Sequence, residues 1–290
     1  MRKMRAYAKI NLALDIAGRR EDGYHAMRMV MQDISLSDTV TLLDSREFGV
    51  VCSTEQVPCG PENTVRKAAA AFFSSCGICE PRVSFCIRKN IPQQAGLGGG
   101  SADAAAALVL LDRHFGTDLS RGELCRLGLS AGADVPFCLL GGTALVEGIG
   151  EELSPLPPLP PCRILICKPS AGVSTKEAFA ALDRSGGGAA AYTDAVLDAL
   201  KVGNLPKIAA NLGNAFERLC GLPQEVEEIE AAMLTGGALG AAMTGSGSAV
   251  FGLFGENDEA AVRCRDGLLE KYAETFLCRP VGSDCHGMAG

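Results

Sequence analysis

Three features of the 290-residue sequence predict an α+β fold in two lobes. Strand-like and helix-like stretches are mixed, without the regular alternation that builds a doubly wound parallel sheet. Apolar residues make up 47% of the chain, enough to bury a sizeable core. Near the middle, Pro155-Leu-Pro-Pro-Leu-Pro-Pro161 holds five prolines in seven residues. Such a segment is an extended spacer that continues neither a helix nor a central strand, so it divides the chain into lobes 1–154 and 162–290.

The first lobe opens on a strand. Ala6, Ala8, Ile10, Leu12, Leu14 and Ile16 alternate with Tyr7, Lys9, Asn11, Ala13 and Asp15, the period of a half-buried strand, which puts Lys9 and Asn11 together on the non-core face. Glu21-Asp22-Gly23 reads as a hairpin turn leading through Tyr24-His25 to strand-like sequence over about 27–43. Asn63 caps a helix running towards Ser75, and Val83, Phe85 and Ile87 alternate as a short strand. A glycine loop from Gly96 to Ser101 then feeds a helix that is apolar nearly all round. That helix belongs in the middle of the lobe, with its N-terminus aimed at whatever the loop holds. Ser120 and Glu123 form the capping box of the next helix, which Gly132 ends. Asp134 follows, and Val135, held extended by Pro136, turns the Asp134 carboxylate towards a cleft.

Past the spacer, Arg163 to Cys167 reads as a strand and Ser174-Thr-Lys-Glu177 as a capping box opening a helix through Phe179. Helical stretches are expected over Leu205–Leu219 and Gln224–Met233, then strand, glycine loop and strand from Ala241 to Phe254. A last helix runs from about Asp258 to Phe276.

Composition removes several functions. A formal charge of −7 and the absence of Trp argue against a nucleic-acid groove, which needs clustered Lys and Arg with stacking aromatics, so the expected partner is a small molecule. No stretch reaches the roughly 18 uninterrupted apolar residues of a membrane span. The basic start, Met1 to Arg5, is followed by Lys9, Asn11 and Asp15 rather than an apolar export core, so cytoplasmic residence is expected. The 13 cysteines are odd in number and follow no disulfide framework, which reads as free thiols. Cys76-Gly-Ile-Cys79 lacks a second pair or a nearby His and is weak as a zinc or redox motif. Nothing in the sequence states the oligomeric order.

The Gly96–Ser101 loop is the strongest chemical signal. Glycines let backbone N–H groups approach an anion and the following helix adds its dipole, so phosphate is the natural guest, although a tight strand-to-helix turn has the same composition. Neither a Walker loop nor a dinucleotide fingerprint fits the spacing. Asp134 alone reads as a turn residue and Lys9 alone as a solvated or edge lysine. Beside a phosphate loop, the two supply what phosphoryl transfer to an alcohol needs: a proton acceptor and a cation for developing charge.

Lys9-Ile-Asn11-Leu with Asp22-Gly-Tyr-His25 comes first, followed by Pro92-x-x-x-Gly-Leu-Gly-Gly-Gly-Ser101-x-Asp103-Ala-Ala, Gly132-Ala-Asp-Val-Pro136 and Gly245-Ser-Gly-Ser248. In that order the chain resembles the GHMP kinases over nearly its whole length. Asp22-Gly-Tyr-His25 and Gly148-Ile-Gly-Glu151 narrow the resemblance to the branch whose alcohol is CDP-methylerythritol. The resemblance implies a two-lobed fold with the active-site cleft between the lobes, ATP and Mg²⁺ as cofactors, and direct in-line transfer in the non-mevalonate isoprenoid pathway. By the same likeness Asp134 takes the proton of the 2-hydroxyl and Lys9 holds that carboxylate ionised. Pro92, Gly96, Leu97, Gly98, Gly99, Gly100, Ser101 and Ala102 would surround the ATP phosphates, and Asn63 and Lys89 the adenine side. Asn11 would orient the alcohol, Tyr24 and Phe179 would stack on cytosine, and His25 would bond its edge. Gly245, Ser246 and Gly247 would lie near the substrate diphosphate or complete the cleft.

The sequence departs from the family at Ala102, where many members carry a second serine after the glycines. Asp103 reads as a helix-start residue suited to the dipole rather than as a metal ligand. A GHMP kinase for mevalonate, homoserine or a sugar is the alternative on the same fold, and a nucleotide-binding pseudokinase the alternative without chemistry.

Overall fold

The computed structural model describes residues 1–19, 25–185, 191–218 and 222–283. In chain order the elements are β1 (Arg2–Arg19), β2 (His25–Asp44), β3 (Gly49–Cys52), α1 (Thr64–Ser75), β4 (Val83–Arg88), α2 (Gly99–Phe115), α3 (Arg121–Leu129), α4 (Val135–Leu140), β5 (Thr143–Gly148) and β6 (Glu152–Pro155). The second half continues with β7 (Cys162–Lys168), α5 (Thr175–Ser185), α6 (Tyr192–Lys201), α7 (Leu205–Ala210), β8 (Gly213–Asn214) and a 3₁₀ turn at Ala215–Arg218. Then come α8 (Gln224–Thr235), β9 (Gly240–Met243), β10 (Val250–Gly255), α9 (Ala260–Leu269) and β11 (Glu274–Cys278).

Strands and helices mix as expected of an α+β chain. One sheet runs β3-β4-β2-β1-β8, with β5 on β2 and β6 on β5, and a four-stranded sheet runs β11-β7-β10-β9. The long pair β1 and β2 is antiparallel from Arg2 opposite Leu42 to Arg19 opposite His25. The turn expected at Glu21–Gly23, and Tyr24, lie outside the described residues. Helix α2 is the central helix of its half, with every residue from Ala102 to Leu111 buried. An all-round apolar helix can only be accommodated that way. Asn63 caps α1 by accepting from Val65 N at 2.9 Å, and Ser120 with Glu123 closes both bonds of a capping box on α3. Among the described residues no helix is long and apolar enough to cross a membrane, no cluster of His, Cys, Asp and Glu could hold a metal, and the cysteines are free.

The structure corrects the sequence reading of β1. Two irregularities change which core the strand meets: opposite Tyr7 and Ala8 the partner β2 carries two extra residues, Ser35 and Leu36, and between Asn11 and Ala13 β1 itself carries one, Leu12. Ala8, Ile10 and Leu12 therefore join a core with Ile164, Ile166 and Phe251 of the four-stranded sheet. Ala6, Leu14 and Ile16 join the core around α2. The strand is covered on both faces, and Lys9 and Asn11 are 4% and 1% exposed rather than solvated.

Other boundaries also move. The helix after the glycine loop starts at Gly99, so Gly99, Gly100 and Ser101 form its first turn and Asp103 lies one turn further in, buried. Val135 is helical, not extended. Pro136 sits in the first turn of α4, where a missing N–H costs no intrahelical bond, and Asp134 takes the N-cap position. The expected helix over 205–219 breaks after α7. Gly213 pairs with Ala13 of β1, at a place where a Cβ would meet the Tyr192 ring at 2.3 Å. The final helix stops at Leu269 and Glu274–Cys278 becomes the edge strand β11, held on β7 by pairing and by a 2.9 Å ion pair from Lys168 to Glu274.

The spacer residues run extended along β5. Leu156 N donates to the Thr143 carbonyl at 2.9 Å, and buried Leu159 donates to Thr143 Oγ1 at 3.1 Å. The segment after β11 returns to the first half, where Ser35 N donates to Arg279 O and Val281 N to Asp33 O.

Beneath β9, Glu230 of α8 faces Glu217. Burial first, and then the neighbouring Glu217 carboxylate, push Glu230 up to about 8 from an ordinary 4.5. The folded protein at neutral pH thus keeps a proton that the unfolded chain has shed. The contribution to stability is fully present below about pH 4.5 and is lost as the pH rises through about 8. Glu230→Gln removes this dependence, so in thermal melts the Tm of the variant relative to wild type should climb steadily between pH 5 and pH 8.

Candidate active site

Lys9 reaches the floor of a cleft of about 490 Å³ that residues of both halves line. Its ammonium donates to Asn11 Oδ1 at 2.7 Å and lies 3.6 Å from Asp134 Oδ2. Lys9 and Asn11 are two residues apart on one face of β1, so the strand itself sets their spacing. The Lys9 side chain is 5% exposed and that of Asp134 32%, so the cation is sunk in protein while the carboxylate opens to the cleft. Asp134 is at the N-cap of α4 without capping it, which leaves its oxygens for the cleft.

Two glycine loops cross over this pair. Gly96 has φ +71°, and a Cβ there would lie 2.0 Å from the Thr244 carbonyl oxygen. Gly98 has φ +69°, and its Cβ would lie 2.9 Å from Lys9 Cγ. The contact between the loops, as much as any ligand, requires glycine here. Lys9 N donates to Leu97 O and Ala249 N to Ala95 O, which tie the first loop to β1 and to the second. Beyond Gly98, the first-turn N–H groups of Gly99, Gly100 and Ser101 have no intrahelical acceptor, and they open a 17-residue helix with its dipole. This is an anion site by construction.

The residues singled out from the sequence converge to a large extent. Lys9, Asn11, Asn63, Lys89, Pro92, Gly96, Leu97, Gly98, Gly99, Gly100, Ser101, Asp134, Phe179, Gly245, Ser246 and Gly247 all line the same cleft. Ala102 is buried in α2 behind it. His25 stands beside the cleft, its ring stacked on Phe179 at 5.1 Å and its Nε2 2.9 Å from Asp183 Oδ1. Phe179 in turn meets Phe216 edge-on at 5.1 Å.

Several of these groups are already engaged. Asn63 spends its oxygen on capping α1 and its amide on the Pro58 carbonyl at 2.8 Å. The Lys89 ammonium is held between Asp38 and Asp103, the latter at 2.6 Å. Two carboxylates on one ammonium leave an excess negative charge in a buried place. Burial, with Asp38 adding to it against the pull of Lys89, pushes Asp103 up to about 7. Burial works against the charge on Lys89 too, but the two carboxylates outweigh it and raise its pKa. The Asn11 oxygen accepts from Lys9, from Gly245 N at 3.0 Å and from Thr244 Oγ1 at 3.3 Å, which makes it a structural node.

Thr244, Phe216 and Asp38 were not indicated by any motif, and Lys89 and Asp103, though singled out, gave no sign that they form an ion-pair group with Asp38. Their roles come from partners more than 10 residues away, and local pattern carries no signal for that. A larger hollow of about 1130 Å³ lies beside the spacer and the segment after β11, bordered by Arg121, Arg163 and Arg279, and none of the sequence-predicted site residues lines it.

The chain matches known proteins along most of its length. The model of the GHMP kinases N terminal domain matches residues 63–142 and that of the GHMP kinases C terminal domain residues 196–274. The chain is 40% identical over 280 residues to a 4-diphosphocytidyl-2-C-methyl-D-erythritol kinase of Clostridium kluyveri, covering 96% of this chain and 99% of that one. It is 45% identical over 282 residues to the protein of the same name from Moorella thermoacetica, covering 95% and 98%. A crystal structure of 4-(cytidine 5'-diphospho)-2C-methyl-D-erythritol kinase superposes with a TM-score of 0.80 at 33% identity, covering 97% of this chain and all of that one.

The crossing of the loops can be measured against a glycine with the same backbone and open surroundings. Gly116 has φ +61° and nothing within 4 Å of a Cβ. Gly116→Ala should cost about 1 kcal/mol, the left-handed penalty alone, and keep activity. Gly96→Ala should cost at least about 2 kcal/mol and abolish most turnover, as read by denaturant melts and initial rates.

Proposed function

Because the chain belongs to the GHMP kinases, in the branch of the 4-diphosphocytidyl-2-C-methyl-D-erythritol kinases, we propose that Asp134 and Lys9 carry the transfer of the ATP γ-phosphoryl group to the 2-hydroxyl of that alcohol. The reaction belongs to the non-mevalonate route to isoprenoid precursors. The observation that carries the assignment is the Asp134–Lys9 pair at 3.6 Å on the floor of the cleft, beside the open N-terminus of α2.

In this reading the phosphates of ATP rest on the N–H groups of Gly99, Gly100 and Ser101, with Gly96–Gly98 shaping the approach. The acceptor hydroxyl lies against Asp134, which takes its proton as the oxygen attacks phosphorus in line. Lys9, anchored by Asn11, faces the charge that develops between them. Positioning and electrostatics suffice for such a step, and the pair provides both without a covalent intermediate. Asn11 acts through Lys9 rather than by touching the alcohol, since its oxygen is already shared by three donors.

Mg²⁺ accompanies ATP in this proposal and shields the phosphate charge. The oxygen-bearing side chains of the cleft, Ser101, Thr64 and Asp134 among them, fit an ion carried in on the nucleotide. The cytidine end is assigned to Phe179, with His25 beside it and Tyr24 from the adjoining segment. Residues 1–154 then supply the ATP side, residues 162–290 the far wall, and 155–161 the connection.

ADP release should be seen with 4-diphosphocytidyl-2-C-methyl-D-erythritol and not with mevalonate, homoserine or galactose. Turnover of one of those alcohols instead would refute the substrate, and turnover of none would refute the chemistry. Asp134→Asn and Lys9→Met should each lower kcat by roughly 10²–10⁴-fold with the fold retained in circular dichroism. Phe179→Ala should raise KM for the cytidine substrate roughly 10- to 100-fold, the worth of one lost stack, and leave KM for ATP within about twofold.

A further inference from the structure

Asn214 stands behind the wall of the cleft without lining it. It is fully buried, the second residue of the two-residue strand β8, and its backbone pairs with Leu14 of β1. Its side chain makes three hydrogen bonds that join segments far apart in sequence. Nδ2 donates to the Met243 carbonyl at 2.9 Å and to the Gly245 carbonyl at 2.8 Å, while Oδ1 accepts from Phe216 N at 3.0 Å. Both N–H groups and the oxygen of the amide are thus engaged. Three residues on, Glu217 Oε1 accepts from Met243 N at 2.5 Å, so the short segment 214–217 grips the end of β9 by three backbone groups.

We propose that Asn214 is a positioning residue for the nucleotide-linked acceptor, setting the 245–247 wall and the Phe216 ring as one unit. This rests on the functional reading above, and on the first of the two placements the family resemblance implies for Gly245, Ser246 and Gly247, beside the substrate diphosphate. The physical case concerns the direction of two carbonyl groups. A loop that faces a diphosphate must not present carbonyl oxygens to it, since their partial negative charge repels the anion. The Asn214 amide draws the carbonyls on either side of Thr244 back, away from the cleft, and satisfies both in a buried place where water cannot. Thr244, clamped between them, accepts from Asn11 N at 3.0 Å, and the Gly245 amide is left directed at Asn11 Oδ1. With its oxygen Asn214 fixes the backbone of Phe216, whose ring supports Phe179 edge-on. One side chain thereby aligns the surface for the diphosphate and the aromatic support for the base.

Only an amide does this. Alanine leaves two carbonyls and one N–H unpaired. Aspartate keeps the acceptor for Phe216 N but sets an oxygen against the two carbonyls.

The test compares steady-state kinetics of wild type, Asn214→Ala and Asn214→Asp with the CDP-linked alcohol and ATP varied in turn. The expected result is a KM for the alcohol raised at least tenfold in both variants, KM for ATP within about twofold of wild type, and kcat lowered less than tenfold. A rise of both KM values together, or a loss confined to kcat, would show that Asn214 merely supports the fold and would overturn the proposal. Wild type that fails to phosphorylate this alcohol would remove the functional reading itself, and this inference with it. If the variants do not fold, hydrogen exchange on wild type decides. The Phe216 and Gly245 amides should slow together on addition of the alcohol and not on addition of ATP alone, and independent responses of the two amides would overturn the coupling.

Discussion

The side-chain oxygen of Asn11 is the point on which the cleft depends. It receives Lys9 Nζ from its own strand, and the Thr244 hydroxyl and Gly245 N–H from a loop more than 230 residues away. An ammonium as buried as that of Lys9 needs close polar partners, because removing a charge from water without them is costly. Asn11 is one partner and Asp134 the other. Since the same Asn11 oxygen also anchors the second glycine loop, the position of the cation and the closure of the two halves are set by one set of contacts.

The glycines of the site take on two duties that composition alone does not separate. Gly96 and Gly98 allow close approach of protein to protein: one passes the Thr244 carbonyl and the other passes the stem of Lys9, both in left-handed backbone. Gly99 and Gly100 instead form the open first turn of α2 and present N–H groups. The same glycine-rich run is therefore both a packing device and an anion cradle, and the boundary between the two falls at the N-cap, Gly98.

Charge around the cleft is divided between groups held in reserve and groups left open. Lys89 is neutralised by Asp38 and Asp103 and acts as a buttress beneath the glycine loop rather than as a free cation. Asn63 is consumed as a cap. Asp134 stands apart: it caps nothing, its carboxylate is a third exposed, and its ionic neighbour lies at 3.6 Å. That contrast supports assigning proton transfer to Asp134 more strongly than the motif by itself.

What the sequence by itself determined was whatever depends on neighbours a few residues away. The caps at Asn63 and at Ser120–Glu123 close within two or three residues, so they read correctly, as did the all-round apolar helix α2 and the strands β2, β4, β7 and β10. The ordered motifs likewise marked most of the residues that line the cleft. Tertiary structure decided what depends on distant partners. The last helix was expected to run on to Phe276, yet Glu274–Cys278 pairs with β7, and the stretch after Ala210 gives up its helix because Gly213 has a place beside β1. The two register shifts along β1 leave the alternation of residue types intact while exchanging which core each residue meets, so period alone could not show that Lys9 and Asn11 are buried. Asn214 is the extreme case. Its surroundings in sequence say helix, and its role exists only because folding brings Met243, Gly245 and Phe216 to the three hydrogen-bonding positions of one amide.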